Sequence, residues 1–209
     1  MSDALALIAH DLKNALGGLE GELAELIDQP TPVMAQRAHL HCAELRRQFI
    51  QFLTLYGART DGLRALCEDE SPLDLLQALQ RVWMVKLQME GSPVQVIAQA
   101  SSTDKAPEFW YFDHRLVQLA LDAAIHNAVR FARTRVDISV RQVSGCLEWC
   151  VHDDGHGLDA DDPGHANATG LGTALAEAVA AAHSHSGRHG RIQLSSSPGQ
   201  GTTFTMALP

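Results

Sequence analysis

The chain has 209 residues, enough for one ordinary domain plus a smaller helical unit. A hydrophobic share of 45% with 20% charged residues describes a globular protein, and the formal net charge of -9 argues against electrostatic binding to nucleic acid or anionic lipid. No apolar run reaches the roughly 20 residues that span a bilayer, and the N-terminus opens on an amphipathic pattern rather than a signal-type stretch, so the expected location is the cytoplasm.

Residues 3–28 read as one helix. Leu5, Leu12, Leu19 and Leu26 recur every seven residues, Leu16 and Leu23 widen the stripe, and Ser2 or Asp3 is placed to cap the start. Pro30 and Pro32 break the helix. A second helix carries Ala38, Cys42, Leu45, Phe49, Phe52 and Tyr56 at alternating spacings of four and three, a coiled-coil-like seam. Two antiparallel helices cannot bury such stripes alone, so the expected assembly is a homodimer through the hairpin, a four-helix bundle. Gly57 and residues 58–70 read as a linker, which divides the chain into a hairpin (1–66) and a second domain (67–209). From Ser71 the pattern changes: a helix over 72–89, a strand over 94–98, a helix over 114–132, strands over 136–143 and 147–152, a helix over 171–183, and strands over 192–195 and 203–208. Strands interrupted by helices predict a two-layer α/β sandwich.

Cys42, Cys67, Cys146 and Cys150 form no C-x-x-C pair and are expected as reduced core thiols. Among 11 histidines, His39 and His41 lie two apart on a helix and point to different sides, while His183, His185 and His189 sit in a Ser/Gly-rich turn. Neither group is expected to hold a physiological metal.

With Leu5 as the first seam position, His10 falls on the side of its helix away from the bundle axis, facing solvent. A neutral imidazole is a competent nucleophile near neutral pH, and a neighbouring carboxylate can accept its proton or fix its tautomer. The segment Ile8-Ala9-His10-Asp11-Leu12-Lys13-Asn14-Ala15-Leu16 resembles the H-box of bacterial two-component histidine kinases. The resemblance implies that His10 accepts phosphate, that Asp11 is its partner acid, and that Asn14, four residues on and on nearly the same face, orients the water that hydrolyses a response regulator's aspartyl phosphate. Ala15 stands where most relatives have proline. Gly17, Gly18 and Gly21 follow it, each costing on the order of 1 kcal/mol of helix stability relative to Ala, and supply local bending instead.

The second domain continues the resemblance. Ala124-Ile125-His126-Asn127-Ala128-Val129-Arg130-Phe131 is similar to the N-box, which implies Mg²⁺ on the Asn127 amide oxygen and Arg130 on the nucleotide phosphates. Ala123 occupies a position where the family often has another Asn. Cys150-Val151-His152-Asp153-Asp154-Gly155-His156-Gly157-Leu158 is similar to the G1 box. There Asp153 would accept from the adenine amino group, with Gly155 and Gly157 turning closely beneath the base. Thr169-Gly170-Leu171-Gly172-Thr173-Ala174-Leu175 is similar to the G2 box, in which Gly170, Leu171 and Gly172 open a helix whose free N–H groups suit polyphosphate. The tail Ser197-Pro198-Gly199-Gln200-Gly201-Thr202-Thr203-Phe204-Thr205 matches the closing strand, with Thr202 at the site. The resemblance implies a GHKL (Bergerat) ATPase fold with ATP and Mg²⁺ as cofactors.

Residues 158–169 form a short acidic lid without the phenylalanine usual in relatives, and Ala168 replaces the first glycine of the G2 pattern. A lid this short predicts poor closure over the triphosphate. The function implied is autophosphorylation of His10 from ATP and transfer to the aspartate of a response regulator receiver domain, with dephosphorylation of that regulator as a further activity. Two alternatives remain: a kinase-shaped histidine phosphotransferase relaying phosphate between regulators, and a non-catalytic dimeric module that binds a regulator.

Overall fold

In the computed structural model, the described residues are 2–99, 106–157 and 170–209, with side chains described from residue 9 onward except at 61. The lid at 158–169, with Ala168 and Thr169, and the side chain of the seam residue Leu5 lie outside the described residues. The chain divides into two compact units, residues 1–62 and residues 63–209.

The first unit is a helical hairpin. Helix α1 (Ser2–Asp28) runs without interruption through Gly17, Gly18 and Gly21. Helix α2 (Pro32–Gly57) starts where Thr31 accepts a hydrogen bond from the Met34 N–H (3.2 Å) and Pro32 supplies a pre-set first turn. One turn of π-helix at 58–62 prolongs α2 into what the sequence marks as linker. Leu19, Ala38 and Leu55 are buried between the helices. The expected seam of α2 is only partly covered within one chain: Phe49 and Tyr56 are about half exposed, and Cys42 is exposed. Leu16, Leu23, Ile50 and Leu53 are similarly open to solvent.

The second unit is a two-layer α/β sandwich. Strand β1 (Glu68–Glu70) precedes helix α3 (Pro72–Glu90), which is capped by Ser71 at one end and by left-handed Gly91 at the other. Strands β2 (Gln95–Gln99) and β3 (Trp110–Phe112), helix α4 (His114–Phe131), and strands β4 (Arg135–Val143) and β5 (Cys146–Asp153) follow. Helix α5 (Leu171–Ala182), a two-strand hairpin of β6 (Ser184–His185) and β7 (Arg188–His189), and strands β8 (Arg191–Ser197) and β9 (Gly201–Leu208) complete the unit. The five-stranded sheet has the order β2-β4-β5-β9-β8, with β2 parallel to β4 and the other pairs antiparallel. The short pair β1–β3 and the β6–β7 hairpin are absent from the sequence reading; strands of two or three residues carry too little alternation to register.

All three helices cover one face of the sheet. Period-two burial puts Val136, Ile138 and Val140 of β4, Leu147, Trp149 and Val151 of β5, and Phe204, Met206 and Leu208 of β9 on that face. Cys146 and Cys150 alternate to the opposite face and are half-buried, as is Cys67, so none of the four cysteines is a core residue. Helix α5 runs back along α4. At its far end the buried His183 ring accepts from the Asp113 N–H (3.0 Å) and donates to the Val179 carbonyl (2.7 Å). Burial pushes the His183 imidazole below its ordinary value, against the opposing pull of the Val179 carbonyl and the Asp113 charge. Burial alone would raise the Asp113 carboxyl, but N–H bonds from Leu66 and Leu116 and the Arg115 guanidinium hold it low. That carboxylate both caps α4 and anchors the entry segment through Leu66 (2.8 Å).

Candidate functional site

In the hairpin unit, His10 projects from α1 with its side chain 64% exposed. Its Nδ1 lies 3.2 Å from the Asn14 amide nitrogen and 3.6 Å from a carboxylate oxygen of Asp11. The helical spacing of four brings Asn14 back over His10, and adjacency brings Asp11. These two neighbours favour opposite tautomers. An amide N–H donating to Nδ1 places the ring proton on Nε2, whereas a carboxylate facing Nδ1 draws the proton there and leaves Nε2 with a free lone pair. An Asn14 amide turned to present its oxygen would join Asp11 in the second arrangement.

In the α/β unit, the alternation that buries Leu147, Trp149 and Val151 sends Asp153 to the same face at the end of β5, where it is 4% exposed. Its Oδ1 accepts from the Gly155 N–H (2.9 Å). The glycines answer to contacts here. A Cβ on Gly155 would run into the Phe131 carbonyl at the end of α4, and one on Gly157, where φ is +85°, would stand 2.7 Å from the Ser197 carbonyl. Gly201 is tighter still against the Asp153 carbonyl. The G1 turn is thus wedged between the end of α4 and the β8–β9 hairpin.

Asn127 is exposed on α4, and its amide nitrogen would lie 3.2 Å from a Cβ on Gly172 near the start of α5. Gly170 caps α5 in the left-handed conformation without a side-chain bond, and Leu171 is buried beneath. The first N–H groups of α5 therefore lie beside the N-box amide. Arg130 is exposed, its guanidinium 5.4 Å from the Phe131 ring centroid. Thr202 donates from its hydroxyl to Ser196 (3.5 Å) at the mouth of the β8–β9 hairpin.

Some contributors were not singled out from the sequence. Ser196 and Ser197 pack against Gly157, and the Arg133 guanidinium lies 2.9 Å from His156 Nδ1. Asp154 accepts from three successive backbone N–H groups, those of Arg133, Thr134 and Arg135. The second aspartate of the Asp-Asp-Gly run is the only sequence signal for this last feature.

Comparison with known proteins finds similarity over both units. Residues 112–209 match the family of histidine kinase-, DNA gyrase B- and HSP90-like ATPases. The C-terminal part of the chain is therefore similar to domains of that family. Over 99% of its length the chain is 27% identical to the sensor-like histidine kinase SenX3 of Mycolicibacterium smegmatis, covering 57% of that protein. Over 46% of its length it is 31% identical to the heme sensor protein HssS of Staphylococcus saprophyticus, covering 23% of it. The chain thus spans about half the length of the SenX3 relative and less of HssS. Its fold matches that of the Acinetobacter baumannii histidine kinase AdeS with a TM-score of 0.74 at 23% identity, covering 95% of this chain and 96% of that one. It also matches full-length ShkA, solved in complex with AMPPNP, with a TM-score of 0.62 at 17% identity over 99% of this chain and 45% of that one. In family terms, the chain resembles the transmitter of a two-component histidine kinase. Among the described residues no helix is long and apolar enough to cross a membrane.

Proposed function

We propose that this chain is a histidine kinase core in which ATP bound at the rim of the α/β unit phosphorylates His10, and the phosphohistidine then passes its phosphoryl group to an aspartate of a response regulator receiver domain. The observation that carries this reading is that one chain joins a segment matching the histidine kinase-, DNA gyrase B- and HSP90-like ATPases to an exposed imidazole whose Nδ1 faces an acid and an amide.

The chemistry follows from the groups present. With its proton on Nδ1, directed at Asp11, the imidazole offers Nε2 to the γ-phosphorus. An N–P bond forms, the bond from that phosphorus to the β–γ bridging oxygen breaks, and ADP leaves with the electron pair. Asp153 takes the adenine amino group's hydrogen bond. Gly155 and Gly157 let the base lie close to the backbone, with Thr202 at the same strand end. The N–H groups opened by Gly170, Leu171 and Gly172 and the charge of Arg130 suit the phosphates. The exposed Asn127 amide offers a neutral oxygen of the kind a hard cation takes, and Mg²⁺ held there would neutralise part of the triphosphate charge. In this reading Asn14 orients a water for dephosphorylating the regulator.

The hairpin serves as the dimerising and phosphotransfer unit in this reading, because its half-exposed Phe49, Leu53 and Tyr56 need a partner. ATP supply and unpaired thiols suit the cytoplasm.

A second reading, a phosphotransferase with a weakened nucleotide site, is favoured by Ala123. This residue is buried on the face of α4 turned to Gly172, 3.6 Å from a Cβ built there, and offers no polar group. Incubation with γ-labelled ATP and Mg²⁺ separates the two. Label that appears on the chain and chases to a receiver domain supports the kinase. A chain that stays unlabelled by ATP yet accepts label from a phosphorylated receiver is a phosphotransferase.

A further inference from the structure

We propose that Asp154 is a positioning residue of the nucleotide site: its carboxylate fills the turn between α4 and β4 and thereby fixes the backbone from which Asp153 meets the base. The inference rests on the reading of Asp153 as the adenine acceptor and extends it to the residue next in the chain.

The geometry is specific. Oδ1 of Asp154 accepts from the N–H groups of Arg133 (2.8 Å), Thr134 (3.1 Å) and Arg135 (3.1 Å). Oδ2 accepts from the Thr134 N–H (3.1 Å) and the Thr134 hydroxyl (2.6 Å). Its own N–H donates to the Arg135 carbonyl (3.2 Å). Consecutive N–H groups converging on one point form a nest for an anion, and here the anion comes from the protein itself. Asp153 and Asp154 are adjacent, so the end of β5 sends one carboxylate to the helix-covered face and the other to the turn. Phe131 closes α4 directly before that turn, and its carbonyl is the atom against which Gly155 is wedged. Asn127 stands one helical turn earlier on α4. One anion thus couples the helix that carries Asn127 to the strand end that carries Asp153, and holds Gly155 where its N–H reaches Oδ1 of Asp153.

The charge is permanent under working conditions. Burial alone would raise the Asp154 carboxyl, but the Thr134 hydroxyl and the N–H groups of Thr134, Arg135 and Arg133 hold it far below the ordinary carboxylate range. Asparagine keeps one carbonyl oxygen for the nest, whereas alanine leaves the three exposed N–H groups to water and removes the tie to β5.

The test uses the full chain with Asp154→Ala and Asp154→Asn, reading ATP and GTP affinity by calorimetry with Mg²⁺ and amide exchange at residues 133–135 and 155. In Asp154→Ala, ATP affinity falls about tenfold or more. Its preference for ATP over GTP collapses, and Gly155 exchanges faster. Asp154→Asn recovers part of each. If exchange rises only at 133–135 while Gly155 protection and base preference stay as in the parent, Asp154 merely closes a turn and the proposal is overturned. If the parent chain binds neither nucleotide, the kinase reading fails separately, and Gly155 protection alone then decides for or against Asp154. Should Asp154→Ala fail to fold, Asp154→Asn carries the same readouts.

Discussion

In the helical hairpin, His10 is 64% exposed and its polar neighbours, Asp11 and Asn14, come from the next four residues. In the α/β unit, Asp153 is 4% exposed and sits among Gly155, the Phe131 carbonyl and Gly201, brought together from three stretches of chain. The hairpin presents its reactive group by leaving it out of the packing. The α/β unit makes its group by packing, which suits the role proposed for Asp153, since an acceptor that selects one base has to be held rigidly and away from water. An exposed imidazole tolerates substitution with little change in its surroundings, whereas a change at the end of β5 travels into α4 and the β8–β9 hairpin.

The largest effect that would break this contrast lies in the hairpin's packing. Within one chain its helices bury Leu19, Ala38 and Leu55 but leave Phe49 and Leu53 about half exposed. Phe49→Glu with Leu53→Glu should therefore abolish self-association while each chain keeps its helices, read by light scattering and circular dichroism. A dimer that persists places the association surface elsewhere. Leu19 is the wrong probe, since its loss would damage the hairpin itself.

A smaller effect sharpens the other side. Asp153→Asn keeps the shape but removes the charge, and nucleotide affinity should fall by about 1.5–3 kcal/mol, the worth of a hydrogen bond to a charged group. An unchanged affinity would mean that the base lies against other residues.

The smallest effect concerns stability. The buried His183 imidazole titrates below its ordinary value of 6.5. Below that pH the unfolded chain binds more protons than the folded one, so the stability His183 contributes is present above about 6.5 and is lost as pH falls toward its folded value. The melting temperature of the parent should drop on acidification through this window, and His183→Gln should flatten that slope. Equal slopes would detach His183 from the acid response.

The same contrast explains what could be read in advance. Helices α1 and α2 follow from leucine spacing and two prolines, and the His10-Asp11-Asn14 group lies within one helical turn, so it is written out in order. The alternation of β5 also carries Asp153 to the covered face, whereas the sequence marks it only through the G1-box resemblance. The contacts that build the proposed nucleotide rim were not legible, because they join residues separated by tens of positions: Asp154 to Thr134, Gly157 to Ser197, Asn127 to Gly172. Strands β1 and β3 escaped for the related reason that a three-residue strand is defined by its partner. Cys42 reads as core because its spacing is that of an apolar seam, yet within one chain it is exposed.

The central claim is that His10 carries the phosphoryl group, and mapping the phosphorylated side chain tests it most directly. After incubation with labelled ATP or a phosphorylated receiver domain, the label should map to His10, be lost in acid and survive base, as a phosphoramidate does. It should vanish in His10→Gln with nucleotide affinity unchanged. Label that persists in His10→Gln, or that resists acid, would contradict the account.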